Sequence, residues 1–572
     1  MRQAADCSRA GQWEAAIRAS GLGLWEQPLL GMHFAAGLER SRQAHRRRRR
    51  LQHARGEAPV VVLVVRTASD PATLACAATR RRIHAGLGHR VSDLVVDPAG
   101  DVVAALWPRC LERPADLVHL CDATLPSVVC GLLSKLFWEA VVVAAVDDRE
   151  TCTGRPRATL GLETLKRTWH GLPAPTDLLD SLWTGLAVPL CRGFDHRLVP
   201  DPAVQQRLGG RLLAEPGDGA DLESFCRELG DGLTDPRQNP VPLAGDQLNV
   251  LESLAPAVAS PLMAHRFQRW NERLQARARR ACAPRDPQLA TIVIPVYGDP
   301  CELDQCLASV RAAEGRSPWQ LMAVMNDATA ATRRVLERHR TEDPRIQAVW
   351  PGENTQFALA CNLGAIAGQG GLIVLLNNDC RVSAGWLDAL VAPLQDPAIA
   401  AVQPRLVKPG GRVQCLGVVF SCEQTLGYPL YAGLPATLAC THREHRLQAL
   451  TGACLAFRFC DFLQVGGLDC RYINSQEDVD LCLRLLRLPE RRYCLSTAAV
   501  TVVHGEGRAP GRFGHNRWSR HRFVERWRGR IQADDRTIYR EDGVEYVGHR
   551  PDIDAAERQG IGAGRAILKV GE

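Results

Sequence analysis

The sequence predicts an α/β protein with two successive sheet domains. It reads as a helical N-terminal segment (1–56), a doubly wound sheet domain (57–245), a helical linker (246–286), a second sheet domain (287–545) and a poorly ordered tail (546–572). Three observations carry this. Short, fully apolar runs such as Pro59 to Val65 have the character of buried parallel strands. Helical patterns with short connections lie between them, as crossovers in a parallel sheet require. In the second domain the apolar runs end in polar residues, where open α/β sheets place ligands.

Composition is that of a globular chain. Of 572 residues, 46% are hydrophobic and 23% charged, which excludes a mostly disordered or fibrous protein. At roughly 150 residues per domain the length suggests about three to four domains or two large ones. The net charge of +7 hints at an anionic partner. Only four of the 70 basic residues are lysine (Lys135, Lys166, Lys408 and Lys569), so the arginine excess also fits a coding bias. The 21 cysteines are scattered through apolar stretches without CxxC pairs. They read as free thiols in a reducing cytosol, not a disulfide framework or zinc finger. The N-terminus lacks the apolar core of a signal peptide. The most apolar stretch, between Asp122 and Asp147, is broken by Lys135 and Glu139, so no membrane span is expected.

In the N-terminal segment the spacing around Trp13 and Ile17 is helical. Arg46 to Arg50 is an unbroken arginine run. It reads as a solvated helix end, with a nucleic-acid or anionic-lipid patch as the sharper alternative. Strands are expected at Pro59 to Val65, Val91 to Val96, Asp116 to Cys121 and Val141 to Val146. Helices are expected at Ala72 to Leu87 and Leu125 to Phe137. The order Asp116-Leu-Val-His119, Thr124-Leu-Pro, Asp147-Asp-Arg-Glu150 and Phe194-Asp-His-Arg-Leu-Val-Pro resembles the N-terminal Rossmann half of family 4 (GT-B) glycosyltransferases. In that fold the other half holds most of the nucleotide sugar, and it has no counterpart here. The resemblance therefore implies an accessory or acceptor-handling domain.

In the second sheet domain strands are expected at Thr291 to Tyr297, Trp319 to Met325, Ile346 to Val349 and Gly371 to Leu376. Four strings occur in order. They are Val293-Ile-Pro295-Val-Tyr297; Asn354 with Phe357-Ala and Asn362-Leu-Gly364; Leu375-Leu-Asn377-Asn-Asp379 with Gly385-Trp-Leu387; and Thr451-Gly-Ala453 with Gly466-Gly-Leu-Asp469 and Glu477-Asp-Val-Asp480. Together with His504 they resemble family 2 glycosyltransferases of the GT-A fold, in a rhamnosyltransferase-like style, over about residues 288–545.

The resemblance implies roles. A departing nucleoside diphosphate needs its charge neutralised, commonly by Mg²⁺ or Mn²⁺. Asp379 and His504 match the metal-binding positions, and a carboxylate with an imidazole suits manganese somewhat better. The alternatives are an N-cap for Asp379 and a satisfied strand-end histidine for His504. Pro295, Tyr297, Asn326, Asp327, Asn354, Asn362, Asn378 and Arg508 match donor-binding positions. Asn326 departs from the family's acidic pair, and Gln356 stands where glycine is usual. Asp478 matches the base that deprotonates an attacking hydroxyl, and Glu477 would orient substrate or tune it. Ser475-Gln-Glu-Asp478 also fits a helix capping box. Asp480 is read as a structural bond-former. Arg508, Arg512, His515 and Arg517 lie in a Gly-rich stretch that reads as a lid over the diphosphate or as a solvated basic loop.

The expected function is a metal-dependent, inverting transfer of a sugar from a nucleotide-diphosphate donor to a glycan or lipid-linked acceptor, in surface polysaccharide or O-antigen assembly. The expected place is cytoplasmic, with peripheral membrane association left open. No nucleic-acid partner is expected. The alternative is a degenerate, non-catalytic glycan- or nucleotide-binding scaffold. A sugar nucleotidyltransferase would need a phosphate-binding loop that Val296-Tyr297-Gly298-Asp-Pro300 does not supply.

Overall fold

A computed structural model describes residues 2–26, 31–67, 71–96, 102–146, 190–200, 202–212, 219–235, 240–241, 243, 247, 256–280, 284–326, 329–505, 516–550 and 564–570. The chain divides into two compact units, 1–262 and 263–572. No described helix is long and apolar enough to cross a membrane.

The first unit holds a six-stranded parallel sheet. Its strands are β1 (Val61–Thr67), β2 (Arg90–Val96), β3 (Leu117–Leu120), β4 (Val141–Ala145), β5 (His196–Val199) and β6 (Arg211–Leu212), in the order β2-β1-β3-β4-β5-β6. Alternation along β1 explains why both faces are covered. Leu63 and Val65 enter one core with Leu120, Phe137 and Trp107, while Val62 and Val64 enter the other with Phe225 and Leu229. The helices Trp13–Glu26 and Gly31–Ala54 belong to the first of these cores through Ile17, Leu24, Phe34 and Leu38. Fully burying each such side chain contributes about 1.5–3 kcal/mol.

The arginine run is only in part the solvated helix end expected: Arg47 and Arg48 are exposed, but their neighbours are engaged. Arg42, Arg46 and Arg49 lie three and four residues apart, on one face of Gly31–Ala54. Arg42 donates to the Leu136 carbonyl at 2.8 Å and lies 3.3 Å from the Glu139 carboxylate. Arg46 donates to the Glu139 carbonyl, and burial lowers its guanidinium pKa to about 10. Arg49 reaches Asp116 at 2.9 Å and the Pro59 carbonyl at 3.0 Å. Burial opposes charge on Asp116, but hydrogen bonds from His53 and Arg49 outweigh it and hold the carboxyl well below its ordinary range. The run locks the helix to the sheet.

The second unit is built on a mixed sheet of ten strands. One parallel block is β7 (Asp286–Val296), β8 (Trp319–Met325), β9 (Ile346–Val349) and β10 (Gly370–Leu376), and β12 and β18 pair in parallel as well. Beyond them come β11 (Cys380–Arg381), β12 (Ile399–Val407), β13 (Val413–Cys415), β16 (His445–Leu447), β17 (Cys454–Arg458) and β18 (Tyr493–His504). The main order is β11-β18-β12-β17-β10-β7-β8-β9, with β13 on β12 and β16 on β18. A separate ribbon pairs β14 (Val418–Val419) with β15 (Tyr428–Pro429). The antiparallel β17 joins the parallel strands to β12 and β18, and that junction forms the site.

Two local expectations change. The tail contains an antiparallel pair, β19 (Glu545–Arg550) with β20 (Arg565–Lys569). Alternating polar and apolar residues, as in Tyr546 and Ile567, let this ribbon form. The capping box is absent. Gln476, at φ +72°, is the residue before the helix Glu477–Leu485, and Ser475 instead donates to Asn516 at 2.7 Å.

Candidate functional site

The site begins where β10 ends. Backbone pairing sets Cys380 opposite His504, which brings the preceding Asp379 beside the same imidazole. Asp379 Oδ1 lies 3.0 Å from His504 Nε2, and both residues are buried. On the far side of the ring, His504 Nδ1 lies 2.7 Å from Gln414 Oε1. An amide oxygen only accepts, so Nδ1 carries the proton. Nε2 faces the carboxylate, and the Asn377 amide lies 3.1 Å from that nitrogen. Two acceptors 3.0 Å apart are unfavourable unless a proton or a cation lies between them. The set fits a divalent cation: a carboxylate, an imidazole and an outer acceptor that fixes the ring. Asp379, Cys380 and His504 each offer a ligand atom within 4.8 Å of the others.

Asp478 stands at the first turn of Glu477–Leu485, half-buried. Its Oδ2 accepts from Gly452 N at 2.7 Å and from Thr451 Oγ1 at 3.1 Å, and its Oδ1 from Val479 N at 2.8 Å. Gly452 is required by space: a Cβ there would stand 3.1 Å from the Phe357 ring and 3.2 Å from Asp478 Cβ. The next residue, Ala453, accepts from Asn377 N at 2.9 Å. Successive residues thus tie the Asp478 carboxylate to the Asp379–His504 pair. Buried Gln403 braces them, accepting from Thr451 N at 2.9 Å and donating to the Cys415 carbonyl at 3.1 Å, next to Gln414. Glu477 is buried beside Asp478.

Other expected donor-binding residues fall differently. Tyr297 is exposed just past β7, and its carbonyl accepts from Asn378 at 3.0 Å, so these two join the rim of the site. Pro295 is buried within β7. Asn326 is buried and works inward: it accepts from Thr355 N and, at 3.0 Å, from Thr355 Oγ1, and donates to the Gln356 carbonyl at 3.2 Å. Asn354 accepts from Gln356 N at 2.9 Å, so both amides shape the loop that opens the helix Gln356–Ala367. Gln356 adopts φ +58°, which accounts for the glycine usual there, and Asn474 holds its side chain at 2.6 Å. Asn362 is fully buried. It donates to Asn271 and the Leu468 carbonyl, each at 2.8 Å, and accepts from Leu468 N at 2.9 Å. From the interior face of its helix, Asn362 fastens the Gly466–Asp469 turn. Asp480 is a structural centre, accepting from Trp527 at 2.9 Å and Arg484 at 2.7 Å. Asp327, Arg508, Arg512 and His515 lie outside the described residues. The sequence reading missed Gln414 and Gln403, which no motif marks.

Residues 291–421 match the family model described as glycosyl transferase family 2. That segment, within the mixed sheet of the second unit, is thus similar to family 2 glycosyltransferases. The O-antigen biosynthesis protein RfbC of Myxococcus xanthus is 30% identical over 223 residues, covering 38% of this chain and 17% of that protein. The chain thus spans less than a fifth of that relative's length. The N-acetylglucosaminyl-diphospho-decaprenol L-rhamnosyltransferase of Mycobacterium tuberculosis is 28% identical over 250 residues, covering 38% of this chain and 80% of that enzyme. Among solved structures, the mannosyltransferase PcManGT from Pyrobaculum calidifontis in complex with GDP-Man and Mn²⁺ has a TM-score of 0.32 at 16% identity, covering 49% of this chain and 80% of that chain.

Proposed function

We propose that the second unit transfers a sugar, with inversion, from a nucleotide-diphosphate donor to a glycan or lipid-linked acceptor in surface polysaccharide assembly. The observation that carries this is the link through Gly452 and Ala453, which ties Asp478 to the Asp379–His504 pair. The similarity to the O-antigen protein and the rhamnosyltransferase supports the reading.

Inverting transfer is a direct displacement at the anomeric carbon. Asp478 takes the proton of the attacking hydroxyl, and the donors on its carboxylate aim it. Asp379 and His504 would hold a divalent cation, which when bound neutralises the diphosphate. Gln414, on the far side of the ring, keeps His504 Nε2 turned toward that position. Tyr297 and Asn378 shape the donor rim. Kinetics with purified protein, Mn²⁺ or Mg²⁺ and a panel of nucleotide sugars test the reading. Loss of nucleoside diphosphate release in both Asp478→Ala and Asp379→Ala is expected. Unchanged release in either would sink the assignment of that residue.

A second reading, a non-catalytic glycan- or nucleotide-binding scaffold, draws on Asn326, whose amide is engaged within the fold. Calorimetry separates the two: acceptor binding without metal-dependent donor binding favours the scaffold.

A further inference from the structure

We propose that the first unit holds one divalent cation of the zinc class between His84, His119 and Cys226. His84 lies on the helix Pro71–Gly86, His119 on β3 and Cys226 on the helix Gly219–Thr234. Their ligand atoms lie within 4.8 Å of one another, and all three residues are fully buried. Around them is apolar core: Leu117 and Cys121, which flank His119 on the same face of the sheet, together with Val64, Phe225 and Leu229.

The donor set selects the ion. Two imidazoles and a thiol, without a carboxylate, suit zinc and disfavour magnesium or manganese. This chemistry is distinct from the Asp379–His504 pair. Burial, aided by His89 and Arg80, lowers the His84 pKa to about 4, and burial with Arg80 keeps His119 well below its ordinary value. Both rings are therefore neutral with lone pairs available.

Two of the candidate ligands already face each other through ring nitrogens. His84 Nε2 lies 2.9 Å from His119 Nε2, and His84 Nδ1 lies 2.9 Å from His89 Nδ1. Three neutral rings in a row can share one proton across each contact. However those protons are placed, His119 Nδ1 meets no hydrogen-bond partner among the described residues. A cation coordinated by His84 leaves His89 as the outer acceptor that fixes its ring. Gly230 makes room for His89, since a Cβ there would stand 3.1 Å from His89 Nε2. Metal–nitrogen bonds of about 2.0–2.1 Å in tetrahedral geometry set two nitrogens about 3.3 Å apart, so the rings need to open by only a few tenths of an ångström.

Burial pushes the Cys226 thiol up to about 12, while Arg80 pulls the other way. Coordination therefore displaces the thiol proton to solvent: the metal–sulfur bond forms as the S–H bond breaks, and one proton is released per ion.

The test uses the full chain carrying Asp379→Ala and His504→Ala, which removes the candidate ligands of the second unit. Metal analysis after dialysis against excess Mn²⁺ should find about one zinc per chain. Cobalt substitution should give a thiolate-to-metal charge-transfer band that Cys226→Ser abolishes and His84→Gln weakens or shifts. A band unchanged in both variants overturns the proposal. Should either variant fail to fold, the parent chain decides: a cobalt band surviving Mn²⁺ excess, with one proton released per ion, supports the site, and its absence overturns it.

Discussion

Gln414 accepts a hydrogen bond from His504 Nδ1 at 2.7 Å and thereby decides which ring nitrogen faces Asp379. β13 positions Gln414 by pairing with β12, while the histidine closes β18 on the other side of β12. The orientation of the ring is thus a property of three strands.

Replacing Gln414 by Leu should lower Mn²⁺ affinity about 10- to 100-fold, the usual effect of losing an outer partner of a ligating histidine. Gln414→Glu keeps an acceptor and should restore most of it. Calorimetry with Mn²⁺ reads both. Equal losses in Leu and Glu would show that the acceptor is irrelevant.

Asp478→Asn keeps the shape and an acceptor for Gly452 while removing the base. Turnover should fall about 10²- to 10⁴-fold with donor affinity little changed. Steady-state release of nucleoside diphosphate, set beside donor calorimetry, separates the two quantities. A parallel fall in both would mean that Asp478 acts only in holding the site together.

Gln356 gives an inverted glycine effect. Glycine inside a helix is ordinarily less stable than alanine, yet at φ +58° the order should reverse, with Gln356→Gly about 0.5–1 kcal/mol more stable than Gln356→Ala. Both lose the bond to Asn474, so it cancels in the comparison. Denaturant melts of the two variants give the sign.

Asp534 should make stability fall as pH rises. Burial raises its pKa from 3.8 to about 6, against bonds from Phe420 and Gln448 that favour the charged form. A carboxyl raised on folding contributes its stabilisation below the unfolded value and loses it as pH climbs through the folded one. The loss therefore falls between about pH 4 and pH 6. Asp534→Asn should flatten that part of the stability–pH curve, read by thermal melts from pH 4 to 8. An unaltered slope would refute this.

What the sequence disclosed follows from the range of the forces involved. Apolar runs at β1, β3, β4, β7, β8 and β10 were readable because burial on both faces leaves its mark within a few residues. The resemblance singles out Asp379, His504 and Asp478, and the structure sets each beside a strand end or a helix start. Gln414 was not, because its meaning arises from pairing across about 90 positions. Asn362 and Ser475 were misread for a related reason: distant partners, Leu468 and Asn516, claim side chains whose neighbours suggest other roles. The arginine run was half legible. Its helix showed in the sequence, but Glu139 and Asp116, which absorb its charge, lie far along the chain.

Gly452 and Ala453 also act as a gauge. One peptide group reaches the Asp478 carboxylate, and the next residue reaches the end of β10. Both residues lie in the short turn that leads into β17. The reach between the two halves of the site is therefore fixed in whole-residue increments. One residue added or removed between Thr451 and Cys454 would carry one contact away from its partner. The loops around it can change length without moving either contact, but this short stretch has no intermediate settings.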